Sequence, residues 1–355
     1  MRKIGNIVPY KHSRINVFSD IQECYQNECA QMFRIGIIGA GWIADKMAEA
    51  IAPFKDMCVY AIASRSIEKA QQFAQERNIE KAYGSYEELV ADPKVDLVYI
   101  ATPHSHHFQH SMLALEHSKP VLVEKAFTAN AKEAEILIRT AREKGIFITE
   151  AIWKRYMPLS HKVKELMESG IIGEPRALTA TLCYMMEFKE RIVKPELCGG
   201  ALLDLGVYAL NFARMYFGTD IVRTVSNVHL GPTGMDMHEC ISLSFADGKM
   251  ANLQAGCLCL NDRQGIINGT EGYIRVDNIN CPEVVEVYRN YELVERYTRP
   301  EGMVNGYEYQ VIECRRCLEE GILESPMMPH EETINIMKQM DELRMEWGVK
   351  YPMDR

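Results

Sequence analysis

A chain of 355 residues, at roughly 150 residues per domain, has room for about two domains and a sizeable buried core. Apolar residues make up 47% and charged residues 25%, the balance of a folded globular protein and not of a disordered or fibrous one. The 40 Lys and Arg residues against 49 Asp and Glu leave a net charge of -9, which argues against nucleic acid or a membrane surface as a partner and favours a small molecule. No apolar run reaches about 18 residues, and Lys11 and His12 interrupt the opening segment, so neither a membrane span nor a signal peptide is expected, and the expected compartment is the cytoplasm. Eleven cysteines, an odd count scattered over a long chain, argue for reduced thiols. Neither Cys24 with Cys29 nor Cys314 with Cys317 has a second pair in register for zinc, and no metal is expected.

Residues 1–32 are polar and weakly periodic and read as an N-terminal extension: a loose arm, the product of an upstream start, or a short helix at 20–31. From Phe33 the strand FRIGII, a helix over 42–52 and the strand CVYAIAS make one βαβ unit. A helix at 66–76, a turn through Tyr83 and Gly84, a short helix at 86–91 and the strand VDLVYIAT follow. Then come a helix at 105–117, the strand PVLVEK, a helix at 130–144 and the strand IFITEA. Such alternation predicts an α/β fold, a doubly wound parallel sheet of the Rossmann type, as a dinucleotide-binding domain over residues 33–151.

After Trp153 a helix at 158–168 leads into longer alternating runs, PRALTATLCYMM, IVRTVSNVHL, HECISLSFADGKMANLQAGCL and YIRVDN, which read as antiparallel strands. Asp247 with Gly248, and Gly269 to Gly272, mark turns between them. Helices at 307–320 and 331–347 close the chain. Residues 152–355 are thus expected to form an α+β domain with an open, mostly antiparallel sheet that binds substrate and dimerises. Ile241, Leu243 and Phe245 alternate onto one face, which a second copy or a helix of the same chain would cover.

Gly39, Gly41 and Ala44 form G-x-G-x-x-A between a strand and a helix, the context in which this pattern holds a dinucleotide. Gly39 permits the tight turn, Gly41 lets the backbone approach a pyrophosphate, and Ala44 keeps the helix close to its strand. With Trp42 and Ile43, the helix start turns free N–H groups toward the phosphates. About 25 residues past Gly39 the second strand ends at Ser64 and Arg65, without the acid that would hold the ribose of NAD. Ser64, Arg65 and Lys69 together suit a 2′-phosphate, so NADP is the expected cofactor and NAD the alternative; a solvated cation pair is the plainer account of Arg65 and Lys69. Glu124 and Lys125 stand at the carboxyl end of a parallel strand, the edge where doubly wound sheets bind ligands. Asp204 and Tyr208 lie four residues apart in GGALLDLGVYAL and share a face if that segment is helical. His104, His106, His107 and His110 cluster after Thr102 and Pro103, with no acid or thiol nearby to complete a zinc site.

Together, IGIIGAGWIA, ASRSIEKA, KAYGSYEELVADP, ATPHSHH, VEKAF, EAIW and GGALLDLGVY resemble the Gfo/Idh/MocA family of oxidoreductases from about residue 33 onward, and within it the dihydrodiol and D-xylose dehydrogenase subgroup. The resemblance implies that Lys125 is the catalytic lysine of the family's Glu-Lys-Pro motif; Ala126 replaces the proline, which argues against a cis bond. It implies Tyr208, where most relatives have His, as the general base, with Asp204 orienting it and Lys125 lowering its pKa. His104, Thr102, Pro103, His107 and Glu124 would line the cofactor cleft, and Glu150, Trp153 and Arg155 would flank it. Lys125, Trp153, Arg155, Asp204 and Tyr208 would hold the substrate, with His107 as the second candidate for the base. The implied activity is NADP-dependent transfer of a hydride between the nicotinamide and C1 of an aldopyranose or a hydroxyl of a cyclic vicinal diol, by a homodimer. Two alternatives stand beside it. A non-catalytic dinucleotide sensor should lack the Lys, Asp and Tyr set, and an NAD-linked inositol or sugar enzyme of the same family should carry an acid at Ser64.

Overall fold

The computed structural model describes residues 11–12 and 32–354; the helix expected at 20–31 and the Cys24–Cys29 spacing lie outside the described residues. A six-stranded parallel sheet runs in the order Lys81–Tyr83, Met57–Ala63, Phe33–Ile38, Leu97–Ile100, Val121–Glu124, Ile148–Ala151. Leu97–Ile100 and Val121–Glu124 are buried at every position, as strands covered on both faces must be, and their sequences LVYI and VLVE are accordingly almost wholly apolar. The order reverses between Phe33–Ile38 and Leu97–Ile100, which opens a crevice at the carboxyl edge beside the glycine turn.

The connecting helices carry their own start and stop signals. Ser85 and Glu88 close a capping box on Tyr86–Ala91, the Asn130 side chain accepts from Glu133 N to begin Ala131–Lys144, and Gly145 ends that helix at φ 64°. Lys81–Tyr83, expected as part of a turn, is a strand paired with Ala61–Ala63. It is a three-residue edge strand with an exposed lysine, too short to show a period. The Lys125–Ala126 bond is cis, contrary to what the missing proline suggested; Ala126 is fully buried and its carbonyl oxygen lies 2.8 Å from His107 Nδ1.

The second sheet has nine strands, in the order Lys11–His12, Glu292–Thr298, Val284–Arg289, Gly272–Val276, Gly265–Gly269, Pro175–Cys183, Met250–Gly256, Asp236–Phe245, Ile221–Leu230. It is mostly antiparallel, but Pro175–Cys183 pairs parallel with Met250–Gly256, because helix Val207–Phe217 and the hairpin Ile221–Phe245 carry the chain across before the second of them begins. Ile241, Leu243 and Phe245 are buried, and Phe217 meets Phe245 edge-on at 5.7 Å between ring centres. The chain's own helix therefore covers this face, and these three residues offer nothing to a second copy. Thr179, Thr181, Val225, Ser242 and Gln254 alternate onto the opposite, uncovered face.

The final helices, Glu308–Glu319 and His330–Trp347, return to the parallel sheet. Arg315 pairs with Asp56 at 2.7 Å, and Asp341 accepts from Ala131 N at 2.7 Å. Between the two sheets, Glu332 receives both Arg155 (2.7 Å) and Arg214 (2.8 Å), a buried network with all three side chains at most 10% exposed. Among the described residues, no helix is long and apolar enough to cross a membrane.

Candidate active site

The turn after the first strand behaves as its glycines require. Gly39 holds φ +104°, and a Cβ there would sit 2.9 Å from the Ala101 carbonyl oxygen, so any side chain would break the turn. Gly41 has open space where a Cβ would stand and precedes a helix start without a side-chain cap, which leaves N–H groups of the first turn facing the crevice. Ala44 is fully buried against its strand, and Trp42 is 70% exposed at the mouth of the crevice. Arg65 and Lys69 are exposed at the end of Met57–Ala63 and the start of Ile67–Arg77, while Ser64 is buried with its Oγ 3.4 Å from Ser66 N.

From this turn a cleft of about 590 Å³ extends between the two sheets, walled by Thr102, Pro103, His104, Glu124, Lys125, Asp204 and Tyr208. Asp204 and Tyr208 reach it because Leu202–Gly206 is a π-helical turn that runs into helix Val207–Phe217, so the segment is helical but not plainly α. Two glycines shape that turn. A Cβ on Gly200 would overlap Asp236 Oδ1 and one on Gly206 would crowd Glu239, while Asp236 Oδ2 accepts from Leu202 N at 2.6 Å.

Lys125 donates to the Asp204 carboxylate at 2.8 Å and to its backbone carbonyl at 2.9 Å. Arg191 holds the other carboxylate oxygen at 2.6 Å. Burial opposes the charge on Asp204, and the two cations overcome it, holding the carboxyl well below its usual range. Tyr208 Oη accepts from Trp153 Nε1 at 2.6 Å, and Trp153 in turn stacks on Tyr307 at 4.3 Å. Lys125 Nζ is 5.3 Å from the Tyr208 ring centre, yet burial raises the phenol well above its usual value and neighbouring Glu124 adds to the rise. Burial thus outweighs any lowering by Lys125, whose ammonium donates to Asp204. Glu124 accepts from Tyr99 Oη, and burial pushes its carboxyl up to about 7.

His107 lines the cleft as expected, but it is fully buried with each ring nitrogen 2.8 Å from a backbone carbonyl, Ala126 and Thr102, so neither is free to serve as a base; burial drives its pKa down to about 4. Three other expected site residues lie off the cleft wall. Arg155 turns away from the cleft into the Glu332 network and donates to Asn211 at 2.5 Å. Trp153 acts through Tyr208 and is not part of the cleft wall. Glu150 also sits away from the cleft, 1% exposed, with Oε1 lacking a hydrogen-bond partner among the described residues, and burial raises its pKa to about 7.

Glu150 yields a stability prediction. An acid whose folded pKa is raised destabilises the native state as pH climbs from the unfolded value, near 4.5, through about 7. Glu150→Gln should thus gain stability relative to wild type between about pH 5 and 8, by on the order of 3 kcal/mol. Thermal melts of both proteins across that range check it, and a pH-independent difference would sink it.

The composition of the opposite wall was not legible. Tyr184, Met186, Lys189 and Arg191 line it. Arg191 stands in the charge run KERIVK, indistinguishable in sequence from a solvated surface, and only the fold carries it to Asp204.

A family model described as "Oxidoreductase family, NAD-binding Rossmann fold" matches residues 33–151, and one described as "GFO/IDH/MocA C-terminal domain" matches residues 160–275. The chain is 34% identical to a trans-1,2-dihydrobenzene-1,2-diol dehydrogenase of Xenopus tropicalis over 89% of this chain and 98% of that protein. It is 36% identical to a D-xylose 1-dehydrogenase (NADP(+)) of Hypocrea jecorina over 83% of this chain and 84% of that protein. A 3-ketoreductase from Actinomadura kijaniata, solved in complex with NADP and TDP-benzene, superposes with a TM-score of 0.80 at 25% identity, covering 89% of this chain and 98% of that one. An aldose-aldose oxidoreductase from Caulobacter crescentus, at 19% identity, shares the fold with a TM-score of 0.81 over 90% of this chain and 98% of that one.

Proposed function

The chain belongs to the GFO/IDH/MocA oxidoreductase family, and from that membership we propose that it is an NADP-dependent dehydrogenase acting on C1 of an aldopyranose or on a cyclic vicinal diol. One observation carries the proposal: Lys125, Asp204 and Tyr208 converge on the cleft that opens beside the Gly39–Gly41 turn. The residues present fit a dinucleotide, since the space at Gly41 and the uncapped helix start suit a pyrophosphate, and Arg65 with Lys69 suits a 2′-phosphate. Bound there, the nicotinamide supplies the hydride-transfer chemistry.

Tyr208 Oη exchanges the proton of the substrate hydroxyl as the C–H bond is broken or made. Its raised pKa keeps the phenol protonated, ready to donate in the carbonyl-reducing direction, while oxidation draws on the ionised form and gains with rising pH. Lys125 presents its ammonium to the reacting oxygen. Asp204, pinned by Lys125 and Arg191, fixes where that ammonium points. Purified protein with NADP⁺ and a panel of aldopyranoses, inositols and trans-dihydrodiols, followed by absorbance of reduced cofactor, tests the activity; no reduction with any of them would overturn it.

NADP should be preferred over NAD. An exposed Arg on a 2′-phosphate is worth about one to two decades in affinity, so Arg65→Ala should erode the preference by that amount and leave NAD binding nearly intact. Equal catalytic efficiency with both cofactors in the wild type would sink the preference. The proposed assembly is a homodimer formed through the uncovered face of the nine-stranded sheet, where Val225 and Met250 are about half exposed at 46% and 52%. A monomer in light scattering at micromolar concentration would remove it.

A further inference from the structure

Three adjacent strands of the second sheet bring two thiols and an imidazole together outside the cleft. Cys183 ends Pro175–Cys183 and is paired with Gly256, which is paired on its other side with His238. A Cβ on Gly256 would lie 2.3 Å from His238 Nδ1, so the missing side chain is what lets the imidazole lean across the middle strand. Just beyond that strand, Cys259 brings its Sγ to 3.9 Å from the same Nδ1. The ligand atoms of Cys183, His238 and Cys259 all lie within 4.8 Å of one another.

We propose that Cys183, His238 and Cys259 form a zinc site with solvent as the fourth ligand. Around a tetrahedral Zn²⁺ with bonds of about 2.0–2.3 Å, donor atoms sit roughly 3.5–4 Å apart, which small side-chain rotations achieve from the present spacing. Two sulfurs and one imidazole nitrogen are the donor set that selects this ion over hard cations. The Gln254 amide nitrogen lies 2.8 Å from His238 Nε2; turning that amide over puts its oxygen on the ring, where it accepts from Nε2–H and leaves the Nδ1 lone pair facing the thiols. Binding converts two thiols to metal-bound thiolates and releases two protons, so affinity rises with pH.

The ion would tie down an irregular segment. Residues 257–264 link Met250–Gly256 to Gly265–Gly269, and within them Asn261 accepts from Cys183 N at 3.0 Å, while Arg263 donates to Tyr184 Oη at 3.3 Å. Tyr184 forms part of the cleft wall, so zinc fixes that wall from behind. Metal binding itself stands whether or not the cleft transfers hydride.

The test uses the full chain, chelator-stripped and kept reduced by a phosphine, titrated with Co²⁺ as an optical probe and then Zn²⁺. Expected are one Co²⁺ per chain with a thiolate charge-transfer band and tetrahedral visible bands, their displacement by Zn²⁺, and release of two protons. Cys259→Ser and His238→Ala, at partly exposed positions, should each abolish the thiolate spectrum or weaken binding beyond the titrated range, and Gln254→Leu should weaken it about 10- to 100-fold. Cys240→Ser, on an exposed thiol nearby, should change nothing. A folded wild type without the charge-transfer band, a band that survives Cys259→Ser, or a Cys183–Cys259 disulfide persisting under the phosphine would each overturn the site.

Discussion

Lys125→Met should lower kcat by about 10² to 10⁴ and leave the dissociation constant for NADP within a few-fold of wild type. Methionine keeps the length and the apolar stem and removes only the ammonium. The side chain is 14% exposed and, among the described residues, its nitrogen donates only to Asp204. Asp204 does not become an unpaired buried charge, because Arg191 remains on its second oxygen at 2.6 Å. Its carboxyl should drift upward from its depressed pKa but stay ionised near neutrality, since one of two stabilising cations persists. The variant should therefore fold normally, as circular dichroism and cofactor titration will show. Activity above about a tenth of wild type would reduce Lys125 to a brace for Asp204.

The parallel half of the molecule was readable because both of its signals are local. Strands such as LVYI and VLVE are buried on both faces and almost wholly apolar, helices such as Ala131–Lys144 switch the period to 3.6, and Asn130 and Gly145 punctuate them. The glycine turn was readable for the same reason, since Gly39 and Gly41 are spaced by the geometry of one turn. What depends on distant partners was not. Arg155 reads as a cleft residue because nothing near it in sequence announces Glu332, the carboxylate 177 residues away that claims it. Ile241, Leu243 and Phe245 reveal by alternation that one face is buried, but alternation does not say whether a helix of the same chain or a second chain buries it. The π-turn at Leu202–Gly206 has no period of its own and follows from Asp236 and Glu239, which sit more than thirty residues later beneath Gly200 and Gly206. The metal-site trio escaped for a related reason. Its members are separated by 55 and 21 positions, and only strand pairing through Gly256 makes them neighbours.

Tyr208→Phe should cost about 10² to 10⁴ in kcat, and it separates a proton-transferring phenol from a packing ring because the ring stays. The loss also has a measurable structural side. Trp153 Nε1 donates to Tyr208 Oη inside the core, so removing the oxygen strands a buried donor and should lower stability by about 1 to 3 kcal/mol. That penalty is too small to unfold a typical domain and too local to disturb cofactor binding. The pH profile is the readout a structural role would not move. Burial raises the phenol well above its ordinary value, so wild-type oxidation should climb with pH through the alkaline range as the ionised fraction grows, while carbonyl reduction stays flat over the same range. Phenylalanine should abolish that climb. Combined with Lys125→Met, it should be little worse than either change alone, since two groups serving one proton transfer do not contribute additively. Retention of more than about a tenth of wild-type kcat, or an alkaline climb that survives the substitution, would move the proton transfer to another group in the cleft.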